Sequence, residues 1–453
     1  MKLIKKIFRE ANFLNLFSNF FRAAFGIASF ALLTRSFSID IFGQWVIYQT
    51  AGNFMDMFRF GITNTGVVRY LSGAEGEERL NFIGSNALIG LVSTIGLVVI
   101  LWVIYFAFKE GIKESGYELF FVWYPIAAIL NLPYNTATVI MQADQQFGKL
   151  LWTRLINSGG FFLLLLLNYL YFNMTVIQII WVQFGVNIFL SAICFIKGWD
   201  GLRHLLKASK DATKRILHFG KYTTFTIIGT NLLRSADTFI ISLSPLGTAA
   251  VALYSIPMKL TELQQIPLRS FATTAFPKMS KASIRGKLDE VKSIFYQYSG
   301  AITILFVIVS LVIFIFADYF VLFMGGQQYL GNDPITGFNA TTIVRIFCLY
   351  GLLLPIDRMT GICLESINRP DKNMVKVIFM IITNIIGDLV AVFVFKSLEA
   401  IAIASILFTA LGVMLGYYYL NRELNLNFKM IRSEGEKFYL NLYSKLKNKS
   451  FWV

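Results

Sequence analysis

Residues 82–108 read FIGSNALIGLVSTIGLVVILWVIYFAF and contain no charged side chain. A helix that crosses a bilayer needs about 20 consecutive apolar residues, and this run exceeds that length. It shows no alternation of apolar and polar residues, so it predicts a membrane-spanning helix rather than a barrel strand. This stretch decides the fold class, because a chain in lipid must pair its backbone groups within its own helices or in a closed barrel.

The whole chain has the composition of a membrane protein. Of its 453 residues, 56% are apolar and 15% are charged, whereas soluble domains carry about 25% charged residues. Aromatic residues make up 16% of the chain, with 44 phenylalanines. This balance excludes a disordered chain and argues against a soluble enzyme.

Further apolar runs lie on both sides of residues 82–108, and together they predict an all-α polytopic membrane protein with twelve transmembrane helices. The loops between them leave no room for a soluble domain on either face. We place the spans at 11–34, 41–64, 82–108, 118–141, 151–172, 175–197, 217–242, 248–273, 295–323, 339–364, 374–396 and 398–421.

Basic residues orient these spans, because cytoplasmic loops carry an excess of Lys and Arg. The asymmetry is clearest with both termini in the cytoplasm. The two largest polar segments, 198–216 and 422–453, are basic; each favours either contact with anionic lipid headgroups or ordinary positive-inside anchoring. The outside loops then hold only four of the 41 basic residues: Arg35, Lys109, Lys113 and Lys396.

Two halves of the sequence are related by an offset of about 206 residues, which aligns Tyr48 with Tyr254 and Asp56 with Glu262. Repeats with the same orientation predict two six-helix bundles around a central cavity, rocking in alternating access. The predicted parts are an N-terminal bundle at 1–197, a basic cytoplasmic linker at 198–216, a C-terminal bundle at 217–421 and a basic cytoplasmic tail at 422–453.

Charged side chains inside the spans are the candidate functional residues, because each costs at least roughly 2.5–3.5 kcal/mol at the bilayer centre. Bases dominate in the first, second and eighth spans, so the predicted cavity is cationic and suits an anionic substrate. The bases that we single out are Arg22, Arg59, Arg234, Lys259, Arg269, Arg345 and Arg358. The acids that we single out, in or next to the spans, are Asp56, Asp237, Glu262, Asp357, Glu365 and Asp388.

Arg22 lies near the middle of the first span, with no acid within one helical turn. An isolated arginine at this depth favours contact with water and an anionic ligand. The alternative is a salt bridge to another helix, through Asp56 or Asp388.

Three acid–base pairs are spaced three residues apart, which places both members on one helix face. Each pair is either a self-neutralising structural contact or part of the cavity wall. Arg269, two turns after Glu262, either faces the cavity or reaches the inside surface. The pairs are Asp56 with Arg59, Arg234 with Asp237, and Lys259 with Glu262.

Other chemistry has no support in the sequence. The three cysteines follow no paired spacing, the two histidines have no ligand partner nearby, and no G-x-x-x-x-G-K-[ST] loop occurs. We therefore expect no cofactor, no metal site and no ATPase. The inside loops account for the net charge of +15, so nucleic acid is not an expected partner.

Short motifs lie near the ends of several spans. Residues 60–72 read FGITNTGVVRYLS, and the second half contains FGKY at 219–222, DTFII at 237–241, GTAAVALY at 247–254 and AFPKMS at 275–280. In this order they resemble the polysaccharide transporter branch of the multidrug/oligosaccharidyl-lipid/polysaccharide (MOP) exporter superfamily. That branch includes the Wzx-type O-antigen flippases.

The resemblance implies a two-lobed transporter of the bacterial cytoplasmic (inner) membrane. Its substrate would be an undecaprenyl-diphosphate-linked oligosaccharide repeat unit, moved to the outer leaflet for cell-surface polysaccharide biosynthesis. In relatives such as the lipid II flippase, bases on the first, second and eighth helices hold the diphosphate; the bases on those helices here are Arg22, Arg59, Lys259 and Arg269. The lipid II flippases usually have fourteen spans, a pair more than this chain.

Partners and coupling also follow from this resemblance. Membrane lipids and other polysaccharide-assembly proteins are the expected partners. A proton or Na⁺ gradient is the candidate for coupling. The cavity and coupling candidates are Asp56, Arg234, Asp237, Glu262, Arg345, Asp357, Arg358 and Asp388.

Two other functions stay open. A cation-coupled multidrug exporter of the same superfamily would favour a cavity dominated by acids and aromatic rings. A polysaccharide polymerase would need a large outside loop with catalytic residues, and none is evident in the sequence.

Overall fold

Every predicted span coincides with helix in the computed structural model, which describes residues 11–333 and 336–447. Within these residues the only strand-like pairing is an isolated bridge between Asn332 and Asn339. Short helical turns cover Lys109–Glu114, Leu202–Lys207 and Gln327–Tyr329. The longer helices are α1 (Ala11–Ser36), α2 (Ile39–Leu71), α3 (Gly76–Ala107), α4 (Glu118–Leu130), α5 (Leu132–Ala143), α6 (Phe147–Phe172), α7 (Val176–Ile196), α8 (Lys210–Ser242), α9 (Gly247–Ile284), α10 (Leu288–Ile315), α11 (Ala317–Gly325), α12 (Ala340–Ser366), α13 (Pro370–Phe395), α14 (Leu398–Leu424) and α15 (Lys429–Lys447).

Seven helices of the described chain are long and apolar enough to cross a membrane on those grounds alone: α3, α6, α7, α10, α12, α13 and α14. The helices α2 and α9 are longer still, but they carry more charged and amide side chains. Polar groups in lipid normally face a protein interior or a wet cavity. The all-α polytopic fold is therefore confirmed, and two of its most polar helices contain several of the candidate residues.

Two predicted spans are not continuous helices. The span at 118–141 is divided at Asn131, because Pro133 lacks the N–H group of a helix interior and instead occupies the first turn of α5. The span at 295–323 is divided at Phe316, between α10 and α11.

Helix α8 begins at Lys210, within the range 198–216 that the sequence predicts as a basic linker. The Ser209 side chain caps that helix by accepting the backbone N–H of Ala212 at 3.1 Å. Ahead of it, Ser85 of α3 donates its hydroxyl to the Ser209 carbonyl at 3.3 Å. The linker is thus held against the start of α3.

Contacts divide the chain into two compact units. The first comprises Met1–Leu243 with Gly247–Ala252, and the second comprises Ser244–Leu246 with Leu253–Val453. The first unit includes α8, which the repeat pattern places in the C-terminal half. Within this unit Arg69 of α2 lies over the Phe219 ring of α8 at 4.5 Å. The six-plus-six limits rest on the sequence repeat and stay a prediction.

In the second unit, α15 packs against α10 rather than lying free in the predicted tail. The backbones approach closely at Gly300 and Gly435, where an added Cβ on either glycine would overlap the other helix. The Tyr439 hydroxyl donates to the Ala301 carbonyl at 2.9 Å. Such small-residue crossings allow helices to pack closely where lipid offers no hydrophobic drive for association.

Replacing Gly300 by valine should therefore release α15 from α10. The new side chain has no room against Ile431 and Gly435, and overpacking of this kind costs about 1–3 kcal/mol. Hydrogen exchange should show lost protection of the α15 amides. Gly96→Val is the matched control, because no atom lies within 4 Å of its Cβ position on α3. Unchanged protection of α15 in Gly300→Val would contradict the close crossing.

Candidate functional site

Arg22 lies on α1 with an exposed side chain. Among the described residues it has no ion pair or hydrogen bond. The salt bridge to Asp56 that the sequence left open is not formed, since that carboxylate contacts Arg59 and accepts the Tyr124 hydroxyl at 2.8 Å. Arg22 therefore keeps all its donors for water or a ligand.

Arg154, on α6, is a second base near Arg22 that was not among the predicted site residues. One guanidinium nitrogen, Nη1, donates to Ser18 Oγ at 3.3 Å and to Asn19 Oδ1 at 3.0 Å. Both acceptors lie on α1 one turn before Arg22. Arg154 thus contacts the turn of α1 that precedes Arg22, so the two arginines lie in the same part of the first unit.

The pair formed by Arg22 and Arg154 is a cationic cluster in the first unit. Neither guanidinium has a carboxylate partner within the described part of the chain. Two unneutralised like charges disfavour each other, and a bound anion removes that cost. Arginine is suited to such an anion because its planar fork can donate two hydrogen bonds to phosphate oxygens.

Arg59, predicted to hold a diphosphate, has a different environment. Its side chain is 1% exposed. It donates to Asp56 Oδ1 at 2.7 Å, to Thr94 Oγ1 at 2.8 Å and to the Ala128 carbonyl at 2.6 Å. These contacts join α2, α3 and α4. In this conformation Arg59 is a structural contact, and its surface is closed to a ligand.

The second spaced pair, Lys259 and Glu262 on α9, is also formed. Lys259 Nζ lies 2.8 Å from each carboxylate oxygen, and the Glu262 side chain is 60% exposed. Arg269 is exposed on the same helix. Unlike Arg59, these groups remain accessible.

Bases of α12 differ in their partners. Arg345, at its start, lies 3.2 Å from Asp318 of α11, and both side chains are exposed. Arg358, in the middle of the helix, is exposed and has no ion pair within residues 336–447 or 11–333. In the second unit, Arg358 therefore resembles Arg22 of the first unit: it is an exposed base inside a predicted span, without an acid partner in the described residues.

Asp357 is neutralised by a residue that the sequence patterns do not single out. Lys376 of α13 is buried, and its Nζ lies 2.8 Å from Asp357 Oδ1 and 2.9 Å from the Asp357 carbonyl. Gly412 and Gly416 of α14 leave the space that this contact occupies. The geometry makes Asp357 a structural residue of the α12–α13–α14 packing rather than an open coupling site.

Asp388 lies in a buried polar segment of the interface between α13 and α14. It is fully buried and accepts the Asn384 side-chain amide at 3.0 Å. Gly387 packs against Ala404 of α14, and Ser405, the next residue of that helix, is buried. Carboxylate, amide and hydroxyl oxygens suit a proton or a hard cation.

The last predicted pair, Arg234 and Asp237, belongs to α8. Asp237 is buried in the first unit and has an interaction partner. The Arg234 side chain lies outside the described residues, so the pair stays a prediction.

Comparison with known proteins identifies the family. Residues 10–283 match the family model described as polysaccharide biosynthesis protein, which is more than half of the chain. The chain belongs to the polysaccharide biosynthesis protein family. No curated protein sequence matches it.

Solved structures of MOP superfamily transporters share the fold of this polysaccharide biosynthesis protein. Lipid II flippase MurJ in an inward closed conformation has a TM-score of 0.72 at 13% identity, covering 95% of this chain and 92% of that chain. An inward-facing multidrug resistance MATE family transporter has a TM-score of 0.74 at 14% identity, covering 89% and 94%. A MOP superfamily transporter from Pyrococcus furiosus, described as having a binding pocket of reverse polarity, has a TM-score of 0.61 at 14% identity, covering 92% and 95%.

These similarities confirm the resemblance drawn from the sequence motifs. The chain has the flippase-like transporter fold of the MOP superfamily and is a polytopic membrane protein. At such low identity the solved structures support the fold alone, so the substrate has to be argued from the side chains.

Proposed function

We propose that this protein is a flippase that moves an undecaprenyl-diphosphate-linked oligosaccharide repeat unit from the cytoplasmic to the outer leaflet of the bacterial inner membrane. The observation that carries the proposal is the cluster of Arg22 and Arg154, two bases within the spans with no acid partner in the described chain. Membership of a polysaccharide biosynthesis family supports a substrate that is used in polysaccharide assembly.

The physical chemistry of the substrate matches this cluster. A diphosphate cannot enter hydrocarbon unpaired, because burying an isolated charge costs many kcal/mol. Arginines that bind its oxygens replace the lost hydration. With both termini cytoplasmic, as the positive-inside pattern supports, the membrane potential favours outward movement of the anion by about 2.3 kcal/mol per charge per 100 mV.

The second unit has accessible bases of its own, and the sequence prediction that Lys259 and Arg269 contact a diphosphate stays a proposal. Arg269 and Arg358 are exposed, and Lys259 forms an ion pair with the exposed Glu262 carboxylate. If a phosphate of the substrate replaced Glu262 as the partner of Lys259, the lysine would stay paired with an anion before and after binding. Arg59 has no part in binding, since its donors are used within the first unit.

Coupling to a proton or Na⁺ gradient is assigned to Asp388. Asp388→Asn should lower gradient-driven flipping at least tenfold while leaving slow, gradient-independent movement unchanged. The amide keeps the shape and the contact with Asn384 but removes the charge that a cation or proton must neutralise. Flipping is measured with and without imposed Na⁺ and pH gradients. Asp289→Asn, at the exposed start of α10, is the matched control; equal gradient responses in both variants would contradict this role.

Reconstituted flipping tests the function itself. The purified protein is placed in liposomes with a fluorescent polyprenyl-diphosphate oligosaccharide, and an impermeant quencher reports the label that reaches the outer leaflet. We expect protein-dependent movement of this lipid and none of a cationic dye. Dye movement without lipid movement would support the multidrug exporter and overturn the flippase. Polymerised sugar in the same assay would support a polymerase.

A further inference from the structure

A cavity of about 200 Å³ lies in the first unit, and neither Arg22 nor Arg154 is among its lining residues. It is formed where the start of α3, the turn between α5 and α6, and the segment after α7 meet. Two backbone features shape it: Gln145 has a left-handed φ of 55°, and Gly201 has a φ of 73°. A side chain at position 201 would overlap Ile83, so this part of the cavity wall requires glycine.

The polar lining combines cations with an aromatic ring. Arg79 of α3 binds Asp144, with Nη2 at 2.7 and 2.8 Å from its two oxygens. Lys149 of α6 lies 5.1 Å from the ring centre of Trp199, and it has no acid partner among the described residues. The charges of Arg79, Lys149 and Asp144 in the lining sum to one net positive charge.

The cavity lies at the depth where spans begin and end. The α3 sequence carries no charged side chain after Arg79, and α7 ends at Ile196, which is 67% exposed. Next to the cavity, the turn Leu202–Lys207 projects Leu206, whose side chain is 98% exposed. An apolar side chain so placed, among lysines and arginines, is typical of a segment that enters the interfacial region of a bilayer.

We propose that this cavity binds the phosphoglycerol headgroup of an anionic phospholipid in the membrane leaflet next to it. Its single net positive charge matches a phosphodiester monoanion. Lys149 contacts the phosphate, with Trp199 holding the ammonium group in position. The Asp144 carboxylate accepts hydrogen bonds from the glycerol hydroxyls, and the Gln146 side-chain amide donates hydrogen bonds to them. This site does not depend on the transported substrate.

Native mass spectrometry of the full-length protein tests the site, with phosphatidylglycerol titrated against phosphatidylcholine. We expect wild type to retain phosphatidylglycerol preferentially, and Lys149→Gln to weaken that retention about tenfold, as expected for loss of one charge-assisted contact. Lys149 is exposed, so the variant should fold normally. Lys207→Gln is the matched control, because that lysine ends the turn Leu202–Lys207 next to the cavity but does not line it.

Two results would overturn the site: equal retention of both lipids, or equal losses in Lys149→Gln and Lys207→Gln. The second would mean that the basic surface attracts anionic lipid without a pocket. Soluble glycerol 3-phosphate distinguishes the sources of the headgroup. Its failure to displace the lipid supports a lipid site, whereas complete displacement at micromolar concentration would assign the cavity to a free phosphate ester and overturn the lipid proposal.

Discussion

Arg22→Ala is expected to reduce flipping of a polyprenyl-diphosphate oligosaccharide about a hundredfold, equivalent to about 2.7 kcal/mol. Its side chain is exposed and has no partner within the described chain, so the free energy of unfolding should stay within about 0.5 kcal/mol of wild type. Initial flipping rates in liposomes and a thermal melt of the same preparation measure both quantities.

Companion variants separate charge from geometry. Arg22→Lys keeps the charge but loses the bidentate fork, so an intermediate rate is expected. Arg154→Ala should act in the same direction as Arg22→Ala. Arg285→Ala removes an exposed arginine at the end of α9 and should leave flipping unchanged. A wild-type rate in Arg22→Ala would remove the cationic cluster from the mechanism.

The second large effect concerns stability. Arg59→Ala should destabilise the first unit by about 3 kcal/mol, because it strands a partly buried Asp56 carboxylate and removes the contacts to Thr94 and Ala128. We expect a lower melting temperature and a smaller folded yield. Any flipping defect should scale with the fraction of protein that is folded.

A double variant makes this prediction specific. Asp56→Asn with Arg59→Met removes both charges and keeps much of the side-chain volume, so it should be more stable than Arg59→Ala alone. Wild-type stability of Arg59→Ala together with abolished flipping would contradict the structural role. Arg59 would then return to the diphosphate site that the family resemblance implies.

Residue spacing in the sequence indicates which side chains share one face of a helix, because both residues belong to the same element. The spacing of Asp56 with Arg59 and of Lys259 with Glu262 left a self-neutralising contact and a cavity-wall position open, and both ion pairs are formed in the structure. The same spacing could not distinguish their environments, because burial depends on the helices that pack around each pair. Arg59 is enclosed by α3 and α4, whereas Glu262 is exposed.

Contacts between residues far apart in the sequence follow from no spacing pattern. Lys376 is 19 positions from Asp357, and Arg154 is 136 positions from Ser18. Their positions near the ends of predicted spans matched ordinary interfacial bases, so they were not singled out. Likewise, nothing local in 422–453 indicated that Gly435 would meet Gly300. Apolar runs predicted where helices lie, but the partner of each helix follows only from the packed structure.

The central claim is that the anionic diphosphate is what the transporter holds as it moves the lipid. The most direct test compares two fluorescent polyprenyl oligosaccharides with the same sugar, one joined by a diphosphate and one by an uncharged ether. In liposomes with the wild-type protein, we predict movement of the diphosphate lipid and none of the ether lipid above protein-free controls. Equal movement of both would contradict recognition of the anion.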